Sequence, residues 1–139
     1  MSATDASRKW TEAINRHDAG AFAALYAPNA VVQDPQYPQP LEGRDAIHKD
    51  ISEFMRAFPD LRVELRSVIE NGNGYASEGM FRGTHSGPLV TPDGERPPTG
   101  KLFEFGGSAF YTLDAQGRIL EERRYYDLAG LLAQLEPVG

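Results

Sequence analysis

The run Asn71-Gly72-Asn73-Gly74 constrains the fold of this chain more than any other four residues. Asn-Gly pairs favour the tight turns that need positive φ and join neighbouring antiparallel strands. The turn is preceded by a run in which Leu61, Val63, Leu65, Ser67 and Ile69 alternate with Arg62, Glu64, Arg66 and Val68, and a second strand follows it as far as His85. Alternation with period two is the signature of a strand with unlike faces, so the segment reads as an antiparallel hairpin. Asp114-Ala115-Gln116-Gly117 supplies a second turn, pairing residues 101–113 with 118–127. Two hairpins make a sheet, and a sheet with one apolar face needs a cover.

The first part of the chain supplies that cover. Trp10, Ala13, Ile14 and His17 fall at helical spacing over residues 6–17, and Asp18 reads as the N-cap of a second helix with Phe22, Leu25 and Tyr26 on its apolar side. Residues 30–34 form a short strand closed by Pro35, and the proline-rich 36–40 segment reads as a loop over a rim. From Gly43 a third helix carries Ile47, Ile51, Phe54, Met55 and Phe58 on one stripe and stops at Pro59. Residues 86–100, rich in Gly and Pro, read as a long loop, and 128–135 as a short C-terminal helix. The fold class is α+β: helices packed on the concave face of a curved mixed or antiparallel sheet, forming a cone with a pocket. At 139 residues the expectation is one domain over 1–139.

A net charge of −6 and a pI near 5.0 exclude nucleic acid and anionic membrane as main partners, since either requires a basic footprint. There is no cysteine, hence no disulfide and no thiolate chemistry. No apolar run approaches the roughly 20 residues of a membrane span, and the N-terminus lacks a leader pattern, so a cytoplasmic protein is expected. His17 and His48 lack a second ligand at helical spacing, and no metal site is expected.

Asp127 stands between the charged strand and the last helix. Alternation puts Ile119, Glu121, Arg123, Tyr125 and Asp127 on one face, read as facing a wet cavity or as an ion-paired cluster, and Leu120, Glu122, Arg124 and Tyr126 on the other, read as a surface for a second copy. Two readings of Asp127 stay open: a half-buried acid/base, or the N-cap of the following helix. Arg123 is either the ion-pair partner of Glu121 or an anchor for a substrate carboxylate. His85, at the end of a strand, and Asp34, before Pro35, are each either loop hydrogen-bonding residues or site residues. Trp10, Phe54, Phe81, Phe105 and Tyr125 supply aromatic surface for a flat apolar ligand.

The order of elements, together with Gly83-Thr84-His85-Ser86-Gly87, Pro97-Pro98-Thr99-Gly100-Lys101 and the run from Gly117 through Tyr126-Asp127 to Leu135, resembles the SnoaL-like polyketide and ester cyclases of the nuclear transport factor 2 superfamily. That resemblance implies cofactor-independent acid/base chemistry, an aldol-type cyclisation or a related isomerase or lyase step, on an apolar carbonyl or polyketide-like substrate. It implies catalysis by Asp127, a small apolar or aromatic ligand, and a homodimer; their positions make His85 and Asp34 candidate catalytic partners beside Asp127. A non-catalytic pocket protein and an epoxide hydrolase, with two aspartates and an arginine around one water, are the alternatives. Asp34-Pro35 also resembles the base of ketosteroid isomerases, but Trp10 stands where that family has an oxyanion tyrosine, which argues against steroid isomerisation.

Overall fold

The computed structural model describes residues 2–137, so Met1, Val138 and Gly139 of the expected 1–139 span lie outside the described residues. The elements are α1 (Ala3–Asn15), α2 (Ala19–Ala24), β1 (Tyr26–Gln33), β2 (Leu41–Glu42), α3 (Arg44–Ala57), β3 (Arg62–Asn71), β4 (Gly74–Thr84), β5 (Leu89–Thr91), β6 (Gly94–Arg96), β7 (Leu102–Leu113), β8 (Ile119–Tyr126) and α4 (Leu128–Gln134). The main sheet runs β2-β1-β8-β7-β4-β3, antiparallel except where β1 lies parallel to β8. The expected α+β architecture is therefore present, with a mixed sheet bent by register shifts in β1, β3 and β7/β8.

Local chemistry sets most element ends. Ser2 and Asp18 cap α1 and α2 by accepting the Asp5 and Ala21 N–H groups, at 3.1 and 2.9 Å. Gly43, at φ 89°, turns β2 into α3 while its own N–H stays on Ala30 O at 2.8 Å. Helix α3 buries Ile47, Ile51 and Met55, as its stripe predicts. Helix α1 is tied to the free edge of β3 by Asn15, whose amide both accepts from Val63 N (2.8 Å) and donates to Val63 O (3.1 Å). That covers two backbone groups an edge strand would otherwise leave open.

Three expectations need correction. The second helix stops at Ala24, and Tyr26 begins β1 rather than ending a helix. Strand β1 therefore runs through Pro28, which the parallel ladder tolerates because pairing with β8 breaks between Tyr26 and Val31; the freed Tyr26 carbonyl accepts from Arg44 Nε and Nη2 at 3.0 and 2.6 Å. The 86–100 segment is not a plain loop but carries the β5–β6 hairpin. It is moored by Ser86 and Gly87 N–H groups on Ala57 O, at 3.2 and 3.0 Å, and by the Arg56–Glu95 pair at 3.4 Å.

Candidate active site

The cavity exists because of what the sheet's inner face lacks. Pairing sets Gly107 opposite Gly79 and Tyr126, Ala109 opposite Ser77 and Arg124, and Tyr111 opposite Tyr75 and Glu122. Gly79, Gly107, Ser77 and Ala109 form a floor of small side chains, framed by the stacked pair Phe81 and Phe105 (ring centres 5.0 Å apart) and by Tyr111. Trp10 and Ile14 from α1 and Ile51 and Phe54 from α3 close the chamber from above. The result is a chamber of about 90 Å³ with mainly apolar walls.

One polar network crosses it. Arg124 donates from Nε to Glu122 Oε2 (2.8 Å) and from Nη1 to both Asp34 Oδ2 (3.0 Å) and Asp50 Oδ2 (2.9 Å). Asp34 also accepts from Tyr126 OH (2.5 Å) and Gln36 N (2.8 Å), and Asp50 from Tyr37 OH (2.6 Å). Glu122 accepts from Tyr26 OH, and that hydroxyl accepts from Trp10 Nε1 at 3.2 Å. The charges are well shielded: side-chain exposure is 1% for Glu122, 7% for Asp34, 12% for Asp50 and 15% for Arg124.

The titration of the donors follows from this setting. Burial works against the Arg124 charge, yet Glu122 and Asp50 outweigh it and hold the guanidinium well above its ordinary pKa. Burial first, and then the facing carboxylates, raise Tyr26, Tyr37 and Tyr126 above the usual phenol value, so each keeps its proton and remains a donor. Arg124 Nη2 has no protein partner among the described residues, although the side chain lines the chamber, which leaves donors for a ligand oxygen.

The two faces of β8 are the reverse of the expected ones. Leu120, Glu122, Arg124 and Tyr126 point to the interior, so they are not a surface for a second copy, while the Glu121 and Arg123 side chains are paired with each other at 2.8 Å. Tyr125 is exposed and also belongs to the chamber lining. Asp127 caps α4, accepting Gly130 N–H at 2.9 Å, is exposed and lies outside the chamber lining, so the acid/base placement expected for it is corrected to the cap. A Cβ at position 130 would crowd the Asp127 carboxylate as it is placed here, so a larger residue there requires that side chain to shift.

His85 is buried but away from the chamber. Its ring packs 5.7 Å from Phe58, Nδ1 accepts the Thr99 N–H at 3.3 Å, and Nε2 has no partner among the described residues. Of the expected site residues, Asp34, Trp10, Phe54, Phe81, Phe105 and Tyr125 do meet in one place. Asp50, Glu122, Arg124 and Tyr126 were missed. A sequence signal for them existed in the small residues Gly107 and Ala109, which mark the hollow side of the sheet.

A family model for the SnoaL-like polyketide cyclases matches residues 4–135. The chain belongs to the SnoaL-like polyketide cyclase family. Among solved structures, a candidate SnoaL-like polyketide cyclase from Jannaschia sp. CCS1 superposes with a TM-score of 0.84 at 17% identity, covering 99% of this chain and 93% of its own. IdmH, a candidate polyketide cyclase from Streptomyces antibioticus, shares 27% identity at a TM-score of 0.76, covering 97% and 99%. AclR, a candidate hydroxylase from Streptomyces galilaeus, shares 20% identity at 0.78, covering 96% and 82%. No curated protein matches the sequence. The candidate activities named for these neighbours differ, and the activity of this SnoaL-like chain has to be argued from its own residues.

Proposed function

We propose that this chain is an acid/base enzyme that closes a ring by aldol-type addition within an apolar, polyketide-like carbonyl compound. The observation that carries this reading is the Asp34/Arg124/Asp50 bridge set in the wall of an aromatic chamber. An ionised carboxylate offers about four acceptor positions. Asp34 has three occupied and Asp50 two, which makes Asp50 the better proton acceptor.

Asp50 takes a proton from the activated carbon between two carbonyls, and the spare Arg124 donors hold the enolate oxygen. The carbanion attacks a further carbonyl, more distant along the same molecule, forming a C–C bond as that C=O π bond opens, and the new alkoxide takes the proton back from Asp50. No electrons leave or enter. Tyr126 and Gln36 position Asp34, which keeps the guanidinium in place.

The same bridge favours one second reading, hydrolysis of an epoxide, in which a carboxylate takes the proton of an attacking water. Incubation of aromatic polyketides and terpenoid epoxides separates the two: cyclisation gives an isomer of unchanged mass with a new ring alcohol, whereas hydrolysis adds one water and in H₂¹⁸O introduces one ¹⁸O into a diol. Asp50→Asn should abolish whichever activity is found, and Asp127→Asn should leave it intact. Equal turnover by wild type and Asp50→Asn removes the proposal, and tight binding without any turnover points to a non-catalytic pocket protein.

The expected homodimer contact moves, on this reading, to the outward sheet face, where Phe110 and Tyr125 are exposed and meet edge-on at 6.0 Å. Sedimentation as a monomer at micromolar concentration would remove it.

A further inference from the structure

The chamber that holds the bridge is too small for the substrate class it serves. At about 90 Å³ it takes a few heavy atoms, whereas pockets that enclose whole drug-sized ligands measure roughly 300–1,000 Å³. A second chamber of about 350 Å³ lies beside it, formed by the 35–38 segment, the β5–β6 hairpin and α4. Leu89, Leu128, Leu131 and Leu132 with Pro35 and Pro38 make it largely apolar, and its ionisable groups are Asp93, Arg96 and the Tyr37 phenol.

Gln36 and Phe54 line both chambers. Gln36 is held there at two points, by its backbone N–H on Asp34 Oδ1 and by its Nε2 on Val90 O, both at 2.8 Å. The residue that positions Asp34, the carboxylate holding the guanidinium, therefore also moors the β5–β6 hairpin. Phe54 is fixed against Phe58 at 4.9 Å between ring centres. The shared wall consists of two braced side chains; both spaces are largely apolar, but the inner one carries the Asp34, Asp50, Glu122 and Arg124 network in its lining, and the outer one is lined by leucines and prolines with Asp93 and Arg96.

We propose that the two chambers form one bipartite site: the inner takes the dicarbonyl head of the substrate, and the outer takes an aliphatic chain of the same molecule passing between Gln36 and Phe54. The identity of the head rests on the function proposed above; the two-chamber occupancy does not. The substrate class is then an amphiphile with a β-dicarbonyl head, a further carbonyl within reach for ring closure, and an extended apolar tail. Substrates differing in tail length are sorted by β5–β6 and α4, far from the reacting atoms.

The test is calorimetric titration of wild type with 2,4-diones from pentanedione to dodecanedione. The dissociation constant should fall by roughly fourfold per added methylene over the first several carbons, the value expected for methylenes leaving water, and then level off as the outer chamber fills. Leu132→Gln and Leu128→Ser, each checked for an intact thermal unfolding transition, should flatten that slope, and Asp50→Asn should keep it. One affinity across the series, or an unaltered slope in both leucine variants, overturns the proposal. A slope without turnover of any substrate class refutes the proposed chemistry and leaves the bipartite site standing; turnover without a slope does the opposite.

Discussion

Arg124→Met tests whether the bridge is the energetic centre of the site. Among the described residues, Asp34, Asp50 and Glu122 have no salt-bridge partner other than Arg124, and their side chains are at most 12% exposed. Methionine keeps much of the length and the apolar stem, so the cavity contribution is small. What remains is the cost of leaving buried carboxylates without a cation, about 3–5 kcal/mol for one broken buried pair. The three bonds share one guanidinium and are not additive, so the figure is not tripled. For a chain of this size the melting temperature should drop by about 10–20 °C. Urea unfolding followed by the fluorescence of Trp10, the only tryptophan and a buried one, measures the loss. Adding Glu122→Gln to Arg124→Met should recover about 1–3 kcal/mol relative to additivity, because it removes the most buried of the orphaned charges. A loss below about 1 kcal/mol, the size of an exposed pair, or strict additivity of the two changes, refutes the reasoning.

Asp127→Ala should cost about 1 kcal/mol through the lost cap while Asp127→Asn costs less, with turnover unchanged in both, as read by urea unfolding and product formation. Gly107→Leu should fill the inner chamber, since a Cβ there meets Phe81 at an ordinary 3.4 Å; calorimetry should then show ligand binding lost with the melting temperature little changed. Burial holds the His85 imidazole below its ordinary pKa, so the unfolded chain takes up a proton near pH 6.5 before the folded one does. The stability this provides is present above about pH 6.5 and is lost as pH falls toward the folded value, and His85→Asn should reduce the slope of stability against pH in that window.

The strands around Asn71-Gly72-Asn73-Gly74 and Asp114-Ala115-Gln116-Gly117 were legible because turn chemistry is local. The family was legible from motifs spread along nearly the whole chain. The inner face of β8 was not, because both of its faces carry ionisable residues, and alternation alone gives two faces without saying which one is buried. That choice is made by pairing: Glu122 lies opposite Tyr111 and Arg124 opposite Ala109, so the face is decided by a neighbouring strand with bulky and small residues in sequence. Asp50 was hidden for another reason. It adjoins the apolar stripe of α3, and only the approach of β8 and the Tyr37 loop gives its carboxylate partners. The β5–β6 hairpin escaped because strands of three residues within a Gly- and Pro-rich segment carry almost no period.

Stability alone does not account for the network. Replacing a buried ion cluster by well-packed apolar residues is often neutral or stabilising by about 1–4 kcal/mol, so a fold that needed only a filled cone would do as well with leucines around Tyr111. Here the opposite arrangement holds on both sides of the network. The sheet beneath it is floored with Gly79, Gly107, Ser77 and Ala109, which forgo packing and keep space open. The charges beside that space come from three separate segments, the end of β1, α3 and β8, and are braced by phenols whose protons burial retains. Emptiness and buried charge each lower the stability a filled apolar core would give. Their coincidence at one point, with an arginine in the chamber lining whose Nη2 has no protein partner among the described residues, is what the proposed stabilisation of a developing oxyanion needs.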